Sequence, residues 1–150
     1  MAQHMAQQNA EGSRDLSTLV DASAELQHLM QSIWRLRQPD GCPWDREQTH
    51  QSIGKNMIEE AYEALDCIEA DDATHLREEL GDVLMQVVLH AQIAADAGEF
   101  TLADVARDID AKLIRRHPHV FGDVDADNSD EVLKIWDEVK LAEKAAKDQA

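Results

Sequence analysis

Two pairs of carboxylates are the residues of this chain whose type and spacing are best suited to chemistry. Glu60 and Glu63 form one pair, and Glu79 and Asp82 form the other. Residues three positions apart share a face of an α-helix, and on helical geometry Glu79 falls inside an arc that is otherwise apolar. Because an unpaired buried carboxylate is costly, these acids need protonation, a basic partner or a metal ion.

The composition of this acidic set favours a hard metal ion. Four acids without histidine or cysteine offer only oxygen ligands, which suit Mg²⁺ or Mn²⁺ rather than zinc. Mg²⁺ with few protein ligands keeps several waters and usually bridges phosphates, so the pattern indicates phosphate chemistry. Glu59 lies one residue off the ligand face, where it could orient or deprotonate a water molecule.

Two alternatives to a magnesium site stay open for the acidic pairs. Helices in a chain with 31 acidic residues will produce such pairs by chance on solvated faces. A di-iron carboxylate bundle also directs glutamates inward, but it requires Glu-x-x-His twice. In this chain Asp82 occupies the position where one such histidine would be.

The scarce basic residues form a cluster near one predicted helix end. Lys112, Arg115 and Arg116 lie within about one helical turn, and arginine forks complete a clamp on phosphate oxygens. The alternative is a cationic helix C-terminus that interacts with the helix dipole. Further along, Trp136 and Lys140 are four residues apart and share a face. One role open to Trp136 is packing in the core or in a dimer.

Hydrophobic periodicity and capping residues predict five helices that would position these groups. The first ends at Arg37, the second runs from about Thr49 to Asp71-Asp72, the third from Asp72 or Thr74 to Gly98, the fourth from Thr101 to Arg116, and the fifth starts at a Ser129 cap. Residues 38–48 and 117–128 are predicted to be loops. We expect an all-α fold, with an antiparallel four-helix-bundle-like core and an additional C-terminal helix.

Composition narrows the classes of protein. The 150 residues carry 31 Asp and Glu against 14 Lys and Arg, for a formal net charge of -17. Such an acidic surface argues against nucleic acid and anionic membranes as partners, and the polar N-terminus predicts a cytoplasmic protein. We expect a flexible tail over residues 1–22 and a single domain over 23–147.

Several short motifs around the acidic pairs make a family resemblance specific. They are Gly41-Cys42-Pro43-Trp44-Asp45 with Gln48-Thr49, Gly81-Asp82-Val83-Leu84, the RRHPHVFG stretch over 115–122, and Trp136-x-x-x-Lys140. With Glu59-Glu60-x-x-Glu63 and Glu79-x-x-Asp82, they make residues 26–144 resemble the MazG-type nucleoside triphosphate pyrophosphohydrolases of the all-α superfamily. The sequence shows one such module, whereas some members of the family have two.

The resemblance implies hydrolysis of NTPs or dNTPs, standard or modified, between the α- and β-phosphates, in a house-cleaning role for the nucleotide pool. It implies Mg²⁺, with Mn²⁺ as a substitute, among Glu60, Glu63, Glu79 and Asp82. It also implies base stacking on Trp136 and a phosphate contact from Lys140. A phosphoribosyl-ATP pyrophosphohydrolase and a noncatalytic helical interaction module are the alternatives, and nothing in the sequence indicates a base or sugar preference.

A second apolar surface predicts self-association. Acids on the inner faces of a small bundle reduce its apolar burial, which leaves other apolar side chains in need of a partner. The candidates are Leu29, Ile33, Trp34, Leu84 and Val88. We expect a homodimer, with a tetramer as the larger alternative, in which Trp136 and Lys140 complete the nucleotide pocket of a neighbouring subunit.

Overall fold

The structure, a computed structural model, describes residues 16–150 and is helical throughout its regular elements. Its helices are α1 (Ser17–Leu36), α2 (Pro43–Glu47), α3 (His50–Glu69), α4 (Ala73–Asp96), α5 (Leu102–Arg116), α6 (Pro118–Phe121) and α7 (Ser129–Asp148). No strand occurs within this range. The prediction of an all-α fold is confirmed, while the bundle arrangement stays a prediction.

Side-chain caps explain where the long helices begin. Thr49 and Ser52 form a reciprocal capping box at the start of α3, and Thr101 and Asp104 form another at the start of α5. The side chain of Asp72 accepts a hydrogen bond from the backbone N–H of His75 and so caps α4. The predicted Ser129 cap of α7 is wrong by one residue. Asn128 accepts from the N–H of Glu131, because its side chain can satisfy that free donor, and Ser129 is the first helical residue.

Two segments predicted to be loops each contain a short helix, so those predictions are wrong in part. Helix α2 lies within residues 38–48 and α6 lies within residues 117–128. Pro43 and Pro118 open these helices. A proline at the first helical position loses no hydrogen bond, because that N–H has no partner within the helix. Pro118, which follows the end of α5 by two residues, can therefore start α6.

The described chain divides into two compact units, of which the first extends to Glu99. Within it α3 and α4 form an antiparallel helical hairpin, closed by the residues between Glu69 and Ala73, and α1 packs on α4. Asp71 has a φ of 54° in this tight connection. The core of the unit consists of Ile33, Ile53, Ala64, Val88, Leu89, Ala91, Ile93 and Ala94. This hairpin carries all of the predicted metal ligands.

The connection between α1 and α3 is held firmly in the first unit. The guanidinium of Arg37 donates to a carboxylate oxygen of Asp96 at 2.7 Å, to the carbonyl oxygen of Asp45 at 2.5 Å and to that of Gln48 at 3.3 Å. The Arg37 side chain is 9% exposed, whereas Trp44 remains exposed. A buried cation with three partners of this kind fixes the connection to α4.

The second unit begins at Phe100 and contains α5, α6 and α7, with α5 in contact with both of the others. None of the side chains from Phe100 to Ala150 is fully buried in this chain. The single domain expected over residues 23–147 stays a prediction.

Helix α1 starts earlier than the predicted boundary between tail and domain. Residues 17–22 belong to α1, in which Leu19, Leu26 and Ile33 repeat every seven residues. Residues 1–15 of the predicted flexible tail lie outside the described residues. Within residues 16–150, no helix is both long and apolar enough to cross a membrane.

Candidate functional site

Three of the predicted metal ligands come together on the α3–α4 hairpin. Glu60 projects from α3, and Glu79 and Asp82 project from α4. One carboxylate oxygen from each of the three lies within 4.8 Å of the others, and all three residues are half-buried. The helical spacing of Glu79 and Asp82 puts both on one face, and the antiparallel hairpin brings Glu60 opposite them.

Glu63 and Glu59 lie at the margin of this acidic cluster. Glu63 is exposed, one turn after Glu60, and is close enough to Glu79 to raise the pKa of that carboxyl. Glu59 is also exposed, and its charge contributes to the raised pKa of Glu60. The structure therefore brings together Glu60, Glu79 and Asp82 and leaves the other two more open to solvent.

The acidic cluster is electrostatically unfavourable without a cation. Partial burial raises the pKa of Glu60, and the nearby charges of Asp82, Glu63 and Glu59 raise it further. Partial burial also raises the pKa of Glu79, with additional contributions from Glu63, Asp82 and Glu78. Among residues 16–150, no lysine or arginine forms an ion pair with Glu60, Glu79 or Asp82.

A divalent cation fits this set of donors. The Oε2 atom of Glu79 is buried and has no hydrogen-bond partner in the described part of the chain. An orphaned acceptor next to two further carboxylate oxygens is a ligand arrangement that hard cations prefer. The sequence left three ways to stabilise these acids: a basic partner, protonation or a metal ion. The absence of an ion pair at the cluster, among the described residues, weighs against a basic partner.

Three of the predicted phosphate-binding residues line a pocket of about 650 Å³ in the second unit. Lys112, Arg115 and Arg116 come from α5, and Glu143 and Lys147 of α7 form the opposite wall. Glu143 accepts from Arg115 Nε at 2.7 Å and from Arg116 Nη2 at 3.0 Å. The two arginines lower the pKa of Glu143 to about 2.

Glu143 is a functional candidate that the sequence pattern did not predict. It lies 27 residues after Arg116, and no local spacing signals a contact over that separation. Arg116 uses both Nε and Nη2 on Glu143, whereas Arg115 uses Nε alone and is more exposed. The terminal nitrogens of Arg115 are therefore better placed to receive an anion than those of Arg116.

Trp136 and Lys140 do not line this basic pocket. Trp136 lines another depression of about 460 Å³, together with residues at the start of α7, and makes an edge-on ring contact with His117 at 5.3 Å. Its Nε1 atom is buried and has no partner in the described residues. Lys140 is exposed one turn further along α7. The two sites of the second unit are thus distinct surfaces.

These features describe an all-α protein with a carboxylate-only candidate cation site on a helical hairpin. Residues 48–121 match the model of the MazG nucleotide pyrophosphohydrolase domain. The chain therefore contains a MazG domain over these residues.

Relatives of this chain support the assignment. The nucleoside triphosphate pyrophosphohydrolase of Escherichia coli K12 is 48% identical over 126 residues, covering 83% of this chain and 48% of that protein. The Thermotoga maritima protein named nucleoside triphosphate pyrophosphohydrolase/pyrophosphatase MazG is 46% identical over 127 residues, covering 85% of this chain and 48% of that protein. The uncharacterized protein YabN of Bacillus subtilis is 55% identical over 112 residues, covering 75% of this chain and 23% of that protein.

A solved structure extends the similarity to the fold. The crystal structure of a mazG-related protein from Thermotoga maritima matches with a TM-score of 0.64 and 27% identity, covering 76% of this chain and 97% of that one. This chain spans about half, or less, of the length of these curated relatives.

Proposed function

We propose that this chain hydrolyses nucleoside triphosphates between the α- and β-phosphates, and releases the monophosphate and pyrophosphate. The substrates are NTPs or dNTPs, standard or modified, in keeping with a house-cleaning role. The observation that carries the proposal is the convergence of Glu60, Glu79 and Asp82 within a MazG domain. The relatives from E. coli and T. maritima that are named for this activity support it.

The protein's own groups divide the work in this proposal. Glu60, Glu79 and Asp82 hold Mg²⁺, or Mn²⁺ in its place, and Glu63 completes the set from the rim of the cluster. When bound, the cation neutralises charge on the phosphates and lowers the pKa of a coordinated water. Glu59 is exposed beside the cluster, where it orients the attacking water or takes its proton.

The charge of the substrate explains why basic residues are needed as well. A triphosphate carries about four negative charges, more than one divalent cation neutralises. Lys112, Arg115 and Arg116 supply further positive charge, with the terminal nitrogens of Arg115 as the first contact. Trp136 stacks on the base and Lys140 contacts a phosphate.

A panel assay tests the proposed reaction. Pyrophosphate release is measured with standard and damaged nucleotides and with phosphoribosyl-ATP, in Mg²⁺ and in excess chelator. Glu79→Gln is compared with Glu69→Gln, an exposed residue of α3 away from the acidic cluster. We expect turnover of triphosphates by the wild type and the control only. If only phosphoribosyl-ATP is turned over, the protein is a phosphoribosyl-ATP pyrophosphohydrolase and the proposed substrate is wrong. If no compound is turned over, the result favours a noncatalytic module.

We also propose that the protein is a homodimer located in the cytoplasm, where its substrates are found, and a tetramer remains the larger alternative. The predicted apolar surface needs one correction, because Ile33 and Val88 are buried in the core of this chain and cannot form it. Trp34 and Leu84 remain exposed, at 51% and 43%. Large contiguous apolar patches mark surfaces that bind a partner, and these two residues are the exposed members of the predicted one.

A further inference from the structure

A pair of histidines joins the two helices that carry the acidic cluster. His50 is the first residue of α3, and His90 lies in the second half of α4. Their Nδ1 atoms are 2.7 Å apart, and their rings are nearly parallel, with centroids 5.0 Å apart and an angle of 5° between the planes. This is the geometry of a hydrogen bond in which one Nδ1 donates and the other accepts.

The position of this histidine pair matters for the cluster. At about 1.5 Å per residue, Glu60 lies about 15 Å along α3 from His50, and Asp82 lies about 12 Å along α4 from His90. The tight connection between Glu69 and Ala73 closes the other end of the hairpin. The acidic cluster is therefore located between two points at which α3 and α4 are tied together.

We propose that His50 and His90 are positioning residues, which fix α3 against α4 and so hold Glu60 opposite Glu79 and Asp82 for a divalent cation. The proposal rests on the cation site of the proposed function, but it does not depend on turnover. A cation held by side chains from two helices binds best when the helices keep one axial and rotational arrangement, because each ligand must reach its place simultaneously. Opening the histidine end allows α3 and α4 to shift, and lowers the fraction of molecules that are ready to bind.

This device works only while at least one Nδ1 atom is unprotonated. A first additional proton on the pair leaves one acceptor, and Glu99, whose Oε2 lies 4.0 Å from His50 Nε2, is placed to balance the charge on His50. A second proton makes both Nδ1 atoms donors, so the hydrogen bond breaks and two cations face each other. We therefore expect the hairpin to loosen in acid.

The surroundings of His90 oppose its protonation. Partial burial lowers the pKa of His90, and the neighbouring His50 lowers it further. Its Nε2 atom is buried and has no partner within residues 16–150. The ion pairs at this end of the unit are the contact of Glu99 with His50 and the Arg37–Asp96 pair between the end of α1 and the end of α4. The charge of that ion pair is internally balanced.

The test compares two substitutions at one position. His50→Leu removes the hydrogen bond, whereas the amide of His50→Asn reproduces an Nδ1 partner for His90 and does not titrate. The exposed His28→Asn is the matched control. Mn²⁺ affinity is measured by electron paramagnetic resonance without nucleotide at pH 7.5 and pH 5.5, and the melting temperature of the metal-free proteins is recorded over the same range.

We expect His50→Leu to bind Mn²⁺ about tenfold more weakly than wild type at pH 7.5, if one molecule in ten keeps the competent arrangement. At pH 5.5 the two affinities should lie closer together, because the fraction of wild-type molecules with a broken pair grows as the pH falls towards the lowered pKa of His90. His50→Asn should keep wild-type affinity at pH 7.5 and exceed the wild type at pH 5.5. Protonation of the carboxylates weakens binding in every variant, so it cancels in these ratios.

Several results would overturn the positioning role. One is equal Mn²⁺ affinity of His50→Leu and wild type at pH 7.5. Another is a ratio of the wild-type affinity to the His50→Leu affinity that is the same at pH 7.5 and pH 5.5. If His50→Leu does not fold, the comparison of His50→Asn with wild type at pH 5.5 decides the question. Mn²⁺ binding with the expected pattern but without pyrophosphate release would overturn only the proposed function. A wild type that binds no Mn²⁺ would overturn both.

Discussion

Replacing Glu79 by glutamine should stabilise the metal-free protein while removing its response to a divalent cation. Glu60, Glu79 and Asp82 present three carboxylate oxygens within 4.8 Å of one another, which gives three repulsive pairs when all are ionised. Glu79→Gln leaves only the pair between Glu60 and Asp82. This separation is shorter than the Debye length of about 8 Å at physiological salt, so the repulsion is only partly screened.

The direction of the pKa shifts also predicts that Glu79→Gln stabilises the metal-free protein. When folding raises the pKa of a carboxyl, the folded protein loses stability as the pH rises from the unfolded-state pKa through the folded-state pKa. The pKa values of Glu79 and Glu60 are both raised. At neutral pH the ionised cluster therefore opposes folding, and removal of one charge relieves part of that opposition. Glutamate and glutamine have similar helix propensities, so the helix itself should not change.

The response to metal gives the magnitude. A ligand at 100 times its dissociation constant stabilises the folded state by about 2.7 kcal/mol, which raises the melting temperature of a protein of this size by about 5 to 10 °C. We expect that increase for wild type with Mn²⁺ and none for Glu79→Gln at the same concentration. Differential scanning fluorimetry with and without Mn²⁺ measures both effects, with Glu69→Gln as the control.

Two outcomes would contradict this reasoning. A metal-free Glu79→Gln protein that melts below wild type would show that the carboxylate is a structural group. An undiminished Mn²⁺-dependent increase would show that Glu79 is not a ligand.

Four further outcomes are expected. Pyrophosphate release should stop in excess chelator and return with Mg²⁺ or Mn²⁺; full turnover in chelator would rule out metal dependence. Arg115→Ala should raise KM for the triphosphate and leave Mn²⁺ affinity unchanged. Unchanged steady-state kinetics would return Arg115 to a structural role. Arg116→Ala should also lower the melting temperature, because Glu143 loses its bidentate partner. The pKa of Glu143 is lowered from 4.5 to about 2, so its contribution to stability is present above pH 4.5 and is lost as the pH falls towards 2. If the acid unfolding curves of Glu143→Gln and wild type match in this window, the Glu143 carboxylate does not stabilise the fold. Light scattering should find a dimer that Trp34→Lys or Leu84→Lys weakens, and an active monomer at micromolar concentration would refute the proposed assembly.

Local sequence was sufficient wherever the physics is local. The all-α class follows from apolar residues at helical spacing, and the caps at Asp72 and Thr101 follow from side chains that satisfy nearby backbone donors. The pairing of Glu79 with Asp82 on one face follows from the helical repeat. The MazG resemblance could be found for the same reason, because its motifs are short runs of neighbouring residues.

Contacts between distant residues were decided by the tertiary structure. The closeness of Glu60 to Glu79 depends on how α3 lies against α4, and the His50–His90 bond joins residues 40 positions apart. Glu143 pairs with two arginines that precede it by 28 and 27 positions, and the core absorbs Ile33 and Val88, which the sequence placed on an outer surface. The periodicity of a helix determines which side chains share a face, but only packing determines which face meets another helix and which remains open.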